Sequence, residues 1–226
     1  MSAYNLEIME EAVRYNRFLL GLVQPLAAAG RRVLDFGAGS GTFAQPLRAQ
    51  GADVVCVEPD PQLRLRLAEK SLRVVTDLRE VEGGSIDLAY SFNVLEHIED
   101  DAAALAALAR VLRPGGRLVL YVPAFMVLYS AMDRRVGHLR RYRKRALARL
   151  VEGAGLAVED VRYADSLGFV AALAFRAVGS RSGELSRGAV RFYDRWLFPA
   201  SRALDACLAP LAGKNLVLRA RRSDRV

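Results

Sequence analysis

The chain has 226 residues, of which 52% are hydrophobic and 26% charged. This composition excludes a disordered chain, and the length suits one domain spanning residues 1–226. No apolar run reaches the roughly 18 residues that cross a bilayer, and the N-terminus lacks the features of a signal peptide. Two distant cysteines, Cys56 and Cys207, exclude a disulfide framework and a metal knuckle, so we expect a cytoplasmic protein with reduced thiols and no metal.

The net charge of +8 is unevenly distributed along the chain. Residues 1–125 carry 13 basic and 16 acidic side chains, or −3, whereas residues 126–226 carry 20 basic and 9 acidic ones, or +11. Such a field would attract an anionic substrate, a membrane surface or nucleic acid. An arginine-rich composition explains part of the overall excess but not its clustering in the C-terminal half.

Taken in chain order, apolar side chains at helical spacing predict lead-in helices over residues 1–29. Helices are also predicted over 42–51, from Pro61 onward with Asp60 as its cap, over 99–113 and over 145–156. Between them, seven apolar runs indicate strands: RRVLDFG (31–37), ADVVCVEPD (52–60), LRVVTD (72–77), SIDLAYSF (85–92), RLVLYVPA (117–124), AVEDVRYAD (157–165) and KNLVLRARR (214–222).

This alternation indicates an α/β fold, with a mostly parallel Rossmann-like sheet of about seven strands between two layers of helices. Residues 166–213 form a predicted helical insertion before the last strand. We expect the insertion to cover a ligand pocket; its amphipathic, basic stretches would also allow contact with a membrane surface.

The stretch VLDFGAGSGTF (33–43) is the first that indicates a ligand site. A strand that ends in glycines and opens a helix is typical of nucleotide-type ligands bound at the carboxyl edge of a parallel sheet. The spacing is G-x-G-x-G rather than the G-x-G-x-x-G of dinucleotide sites. Asp35 would repel a pyrophosphate but suits the ammonium and sulfonium of S-adenosylmethionine, so that cofactor is favoured over NAD.

Two further acids end the next two strands. Glu58 lies 23 residues after Asp35, where a carboxylate can accept both ribose hydroxyls, although dehydrogenases also place an acid there. Asp77 is placed to receive an adenine amino group, with a turn cap as the alternative role.

At these residues the chain resembles the class I S-adenosylmethionine-dependent methyltransferases. The segments DFGAGSG, VCVEPD, TD, SIDLAYSFNVLEHIED and LRPGGRLVLYVPA carry the resemblance, which covers about residues 10–165. It implies a seven-stranded sheet whose last strand is antiparallel, with the cofactor over its carboxyl edge. It also implies a lid residue in the first helices, Tyr15, for which apolar packing against the first strand is the alternative role. The implied cofactor-binding set comprises Tyr15, Asp35, Gly37, Ala38, Gly39, Gly41, Glu58, Pro59, Asp77, Leu78, Asn93 and Val94.

The segment over residues 126–150 follows the fifth predicted strand, where this family usually contacts the methyl acceptor. Residues 134–149 hold eight basic side chains and no acid, which favours an anionic acceptor, although a solvated helix face explains some of them. The candidate catalytic residues are His138, His97 and Tyr142, and the candidate acceptor-binding residues are Arg140, Arg141 and Tyr129. Fixing the local helix is an alternative role for His97.

The sequence therefore predicts methyl transfer from S-adenosylmethionine to a small-molecule acceptor, at oxygen, with an anionic or glycan- or lipid-linked compound favoured. The alternative is a nucleic-acid-binding or nucleic-acid-modifying methyltransferase that uses the basic C-terminal half. Against that alternative, no separate nucleic-acid-binding module is evident. SFNVLEH also stands where amino-directed nucleic-acid methyltransferases carry an Asn- or Asp-Pro-Pro-aromatic signature.

Overall fold

The computed structural model describes residues 8–178, 186–208 and 211–223, with side chains left out at 175–178. Its strands are β1 (Arg32–Phe36), β2 (Asp53–Val57), β3 (Arg73–Val75), β4 (Ile86–Phe92), β5 (Leu112–Pro123), β6 (Leu156–Ala164) and β7 (Asn215–Arg222). All seven predicted strands are present. β5 begins five residues earlier than predicted, because the turn at Pro114, Gly115 and Gly116 lies within the strand rather than before it.

The strands form one sheet in the order β3-β2-β1-β4-β5-β7-β6. β1 pairs in parallel with both β2 and β4, whereas β7 runs antiparallel to β5 and β6. The fold class is therefore confirmed, including the antiparallel last strand. The strand order reverses between β1 and β4, and such a switch point opens a crevice at the carboxyl edge of a parallel sheet.

Helices cover both faces of the sheet. Their bounds are α1 (Val13–Val23), α2 (Ala44–Ala49), α3 (Pro61–Glu69), α4 (Asp101–Val111), α5 (Ala131–Val136), α6 (Lys144–Gly153), α7 (Ser166–Val178), α8 (Arg187–Phe192) and α9 (Phe198–Leu208). Successive strand residues point to opposite faces, so Val33 packs with α1 and α2 while Leu34 packs with α4 and α6. Both side chains are fully buried, which explains why the strands are continuous apolar runs.

Local signals in the sequence fix where two of the helices begin. The Asp60 carboxylate accepts hydrogen bonds from the backbone N–H groups of Gln62 and Leu63, and Pro61 occupies the first helical position of α3. Asp100 accepts from the N–H of Ala103 at the start of α4. These caps satisfy N–H groups that lack partners within their own helix.

The insertion consists of α7, α8, a π-helical turn over Tyr193–Leu197, and α9. Residues 179–185 and 209–210 of the predicted 166–213 insertion lie outside the described residues, as do residues 1–7 of the predicted lead-in helices. No described helix combines the length and apolar character that crossing a membrane requires. The exposed side chains of Val170, Phe192 and Trp196 lie on the insertion, and its contact with a membrane surface stays a prediction.

The insertion is tied to the N-terminal segment by charged side chains. Asp194 accepts hydrogen bonds from the backbone N–H groups of Arg14 (3.0 Å) and Tyr15 (2.8 Å), so it caps α1 from another part of the chain. Glu11 pairs with Arg187 and Arg191 of α8. The first helix is thereby held over the carboxyl edge of the sheet, next to the insertion.

Candidate functional site

The turn after β1 adopts left-handed backbone at three glycines, with φ of +80° at Gly37, +56° at Gly39 and +83° at Gly41. Side chains would strain this backbone, and two of the positions also lack space. A Cβ on Gly37 would lie 2.4 Å from a methyl group of Val94, and one on Gly41 would lie 2.9 Å from Leu67. Gly41 thus serves helix packing, while Gly37 and Gly39 line the cleft.

Glu58 joins the turns that follow β1 and β2. One carboxylate oxygen accepts from the N–H of Gly39 at 2.8 Å, and the other accepts from the N–H of Asp60 at 3.0 Å. Glu58 is buried yet lines the cleft. The carboxylate is therefore held by two backbone donors, and its remaining lone pairs are available to a ligand.

Asp35 lies in β1, and its side chain is 3% exposed and does not line the cleft. Burial raises the pKa of this carboxyl to about 7, an effect that the nearby Tyr90 hydroxyl partly offsets and the nearby Glu58 charge increases. The ionised form would thus gain from a cationic group bound nearby. Asp35 lies under the glycine turn and outside the lining of the cleft, and its expected role beside the methionine end of the cofactor stays a prediction.

Asn93 and Tyr15 meet above the end of β4. Asn93 has left-handed backbone, with φ of +54°, and its side-chain amide donates to the Tyr15 hydroxyl at 3.2 Å. Edge-to-face packing against Tyr121 and Phe198 orients the Tyr15 ring. The lead-in helix thus reaches the sheet edge through Tyr15, and the expected lid role of Tyr15 stays a prediction.

Asp77 and Leu78 are placed differently from the other predicted cofactor residues. The Asp77 side chain is half exposed, accepts from the N–H of Arg79 and forms an ion pair with the Arg79 side chain at 2.9 Å. Leu78 is buried in the core. Neither lines the cleft, so the contacts of Asp77 are those of the turn cap that was its alternative role.

One cleft of about 1110 Å³ runs along the carboxyl edge of the sheet, from the turn after β2 to the insertion. It brings together most of the predicted site residues, namely Tyr15, Gly37, Gly39, Glu58, Pro59, Asn93, Val94, His97, Tyr129, His138 and Arg141. The predicted residues outside its lining are Asp35, Ala38, Gly41, Asp77, Leu78, Arg140 and Tyr142.

The segment after β5 is organised around a carboxylate, Asp133, which is 2% exposed. Its oxygens accept from Nε and Nη2 of Arg141 (2.9 and 3.0 Å), from Nδ1 of His138 (2.7 Å), and from the backbone N–H of Ser130. These donors hold the pKa of Asp133 well below its usual range, despite its burial. Tyr129 donates from its hydroxyl to the carbonyl of His138 at 2.7 Å.

Two histidines and a glutamate converge beside this carboxylate. The rings of His97 and His138 are 4.7 Å apart, and Oε1 of Glu96 lies 3.7 Å from Nε2 of His138. Burial lowers the pKa of His97 to about 4, and burial raises the pKa of the fully buried Glu96 to about 8. Ligand atoms of the three side chains lie within 4.8 Å of one another, a set that could hold a metal ion.

Arg140 and Tyr142 face away from the cleft. Arg140 forms an ion pair with Asp101 at 2.8 Å and donates to the carbonyl of Glu99. Tyr142 is buried and donates to Asp101 (2.8 Å) and to the carbonyl of Leu95. Both side chains thus fasten the segment after β5 to the start of α4, and they do not contact the space in which the acceptor roles were expected.

Several residues in or beside the cleft are missing from the set predicted from the sequence. Glu96 precedes His97 in the LEHI segment and is fully buried, outside the lining of the cleft, and Asp133 lies one residue before the basic stretch 134–149. At the insertion end, Asp165 accepts from the Tyr193 hydroxyl, and the ammonium of Lys214 lies 5.5 Å from the Tyr193 ring centre. Asp165, Tyr193 and Lys214 lie on separate elements, so no spacing in the sequence predicted that they would meet.

A family profile described as a methyltransferase domain matches residues 9–161. Among curated relatives, a ubiquinone biosynthesis O-methyltransferase of Xanthomonas oryzae pv. oryzae is 35% identical over 159 residues, or 60% of this chain and 66% of that protein. A protein of the same description from Xanthomonas campestris pv. campestris is 36% identical over 105 residues, 42% and 44% of the two chains. The chain thus spans just under two thirds of the first of these relatives.

Solved structures share the fold at low sequence identity. An S-adenosylmethionine-dependent methyltransferase from Mesorhizobium loti superposes with a TM-score of 0.61 at 18% identity, covering 90% of this chain and 96% of the other. A phosphoethanolamine N-methyltransferase from Haemonchus contortus, in complex with S-adenosylmethionine, gives a TM-score of 0.63 at 19% identity, over 93% and 53%. At such identities the likeness concerns the fold alone.

Proposed function

Because the chain belongs to the class I S-adenosylmethionine-dependent methyltransferases, we propose that it transfers the cofactor's methyl group to an oxygen atom of a small acceptor with an apolar body. The observation that carries this proposal is the continuous cleft. Its volume of about 1110 Å³ exceeds the roughly 300–1,000 Å³ of a site for one ligand. Cofactor and acceptor would therefore lie end to end within it.

The cofactor end of the cleft is the turn after β1, Glu58 and the Asn93–Tyr15 pair. We propose that Glu58 holds the ribose and that Gly37 and Gly39 allow the methionine end to approach the backbone. Tyr15 would close over the cofactor. In this arrangement the methyl group points away from β2, toward the histidines that follow β4 and β5.

A group of apolar side chains lies in the lining of the acceptor end, and this favours an acceptor with a hydrophobic part. They are Leu128, Met132, Val136, Ala171, Ala172 and Val190. Support for an anionic group is weaker than the sequence suggested, because Asp133 neutralises Arg141 and Arg140 lies outside the cleft. Arg134 and Lys214 line the cleft and are the remaining candidates for such a contact.

Oxygen is favoured as the attacking atom because the curated relatives are named O-methyltransferases. In the reaction the acceptor hydroxyl loses its proton to solvent, the oxygen–methyl bond forms, and the carbon–sulfur bond breaks to release S-adenosylhomocysteine. A phenol, whose pKa is near 10, loses that proton more readily than an alkyl alcohol. A group that lowers the pKa of the acceptor hydroxyl further would have to lie beside the transferred methyl group, where we place His97 and His138. The protein contributes alignment and exclusion of water.

The test is a methyl-transfer assay with S-adenosylmethionine carrying a deuterated methyl group and mass-spectrometric identification of the product. The acceptors are a phenol, the same phenol with a long alkyl chain, an amine and a short oligonucleotide. We expect a methyl ether, with the alkylphenol preferred by at least tenfold in kcat/KM. Label on nitrogen would overturn the oxygen assignment, and label in the oligonucleotide would support the nucleic-acid alternative.

A variant pair tests the apolar end of the cleft. Ala172→Gln places an amide among the apolar lining residues and should reduce the preference for the alkyl chain while sparing the unsubstituted phenol. Ala103→Gln makes the same change on the exposed face of α4 and should leave the preference unchanged. An unchanged preference in both variants would show that the acceptor does not lie against α7.

A further inference from the structure

Three potential metal ligands converge where the acceptor oxygen is proposed to bind. They are a carboxylate oxygen of Glu96 and one ring nitrogen each of His97 and His138, and these atoms lie within 4.8 Å of one another. A divalent metal with ligand distances near 2.1 Å needs ligand atoms roughly 3 to 3.5 Å apart. Oε1 of Glu96 and Nε2 of His138 are 3.7 Å apart, so this pair is already close to that separation.

The surrounding described residues do not account for the burial of the Glu96 carboxyl. Its side chain is fully buried, and no other described residue offers a hydrogen bond to either oxygen. Nε2 of His97 is likewise buried without a partner among the described residues. Leaving such groups unsatisfied costs roughly 1 to 3 kcal/mol each. A cation bound between them would satisfy both groups at once.

The two imidazoles are held in the orientation that metal-binding histidines adopt. Nδ1 of His138 contacts the Asp133 carboxylate at 2.7 Å, and Nδ1 of His97 contacts the carbonyl of Gly137 at 3.1 Å. A carboxylate or a carbonyl on one ring nitrogen fixes the ring and directs the other nitrogen to the metal. The contacts of both rings therefore leave Nε2 as the atom presented to the cluster.

We propose that Glu96, His97 and His138 bind one divalent transition-metal ion, with Glu96 as the buried ligand and the open coordination positions on the side of the two histidines, which line the cleft. Two imidazoles and one carboxylate suit zinc, iron, cobalt or manganese. Magnesium and calcium instead favour sites made of oxygen ligands alone. Binding itself does not depend on the proposed function. The role of the ion does: the acceptor hydroxyl would bind at an open position, lose its proton to solvent, and attack the methyl carbon as the oxygen anion.

The test uses Co²⁺ as the probe, added to the full-length protein after dialysis against a chelator and without S-adenosylmethionine. We expect visible d–d absorption that saturates at one Co²⁺ per chain. Glu96→Gln keeps the size of the side chain and removes its charge, so the fold should persist, and we expect Co²⁺ affinity to fall at least tenfold. Glu99→Gln makes the same change at an exposed position three residues away and should bind as the wild type does.

Absence of saturable Co²⁺ absorption would overturn the proposal, as would equal affinity in the Glu96→Gln and wild-type proteins. A thermal unfolding midpoint measured for each variant ensures that lost binding is not lost folding. Methyl transfer is assayed separately, on chelated protein and after Zn²⁺ or Mn²⁺ is restored. Co²⁺ binding without any O-methylation would refute the proposed function and leave the metal site standing.

Discussion

The two ends of the cleft are built by different means. At the cofactor end, backbone groups form the site: an N–H group from the turn after β1 and another from the turn after β2 hold the Glu58 carboxylate. At the acceptor end, side chains from distant parts of the chain pair with one another, as Arg141 does with Asp133 and Arg140 with Asp101. A local sequence motif therefore predicts the cofactor end, whereas the contacts of the acceptor end are evident only in the folded chain.

This difference changes the meaning of the positive charge after β5. Eight basic side chains without an intervening acid suggested an anion site. In the fold, the guanidinium of Arg141 is 8% exposed and paired through two hydrogen bonds with a carboxylate. This ion pair stabilises the segment after β5. Fewer cationic side chains are therefore available to a ligand than the number of basic residues in the segment suggested.

The largest expected effect concerns Asp133 at the acceptor end. Asp133→Ala removes the partner of a buried guanidinium, and an uncompensated buried charge destabilises a protein by about 3 to 5 kcal/mol. Urea denaturation should show this loss in the free energy of unfolding. Asp160→Ala is the control: Asp160 also pairs with an arginine, Arg162, but at a half-exposed site, where about 1 kcal/mol or less is expected. Equal losses in the two variants would contradict the structural role of Asp133.

The sheet could be predicted because its signals are local. Apolar runs, glycine and proline punctuation, and the Asp60 cap each act within a few residues, and the predicted strands are all found. The start of β5 was predicted five residues too late, because a proline–glycine turn in a sequence usually marks the end of a helix. In the fold the same turn lies inside β5, where register with β4 shifts.

The acceptor end could be predicted only in part, for a physical reason. The predicted residues His138 and Arg141 line the cleft, but their orientation depends on Asp133, which lies five and eight residues away across a turn. Tyr142 and Arg140 share Asp101, about 40 residues earlier in the chain. No periodicity encodes such pairings, because folding alone brings their partners together.

An intermediate effect is expected from Asp35 at the cofactor end. Between about pH 4 and pH 7 the unfolded chain loses this proton while the folded state retains it, since burial raises the folded pKa to about 7. Stability therefore falls as pH rises through this window, by roughly 2 to 4 kcal/mol, and is constant above it. Asp35→Asn should flatten the profile in urea denaturation at pH 5 and pH 8.

Asp53→Asn, a change at the exposed start of β2, is the matched control for Asp35→Asn and should keep the wild-type profile. If all three proteins lose stability equally between pH 5 and pH 8, the proton on Asp35 is not the cause.

The smallest effect separates Glu58 from Asp77, two of the three acids that the sequence assigned to the cofactor. Glu58→Ala should weaken S-adenosylmethionine binding in calorimetric titration by roughly 1 to 3 kcal/mol, the scale of hydrogen bonds to a charged group. Asp77→Ala should change it by less than about 0.5 kcal/mol, because Asp77 caps an exposed turn and does not line the cleft. Equal losses would place the adenine beside Asp77 after all. Loss in Glu58→Ala alone would show that the cofactor end depends on one carboxylate, anchored by the backbone of two turns.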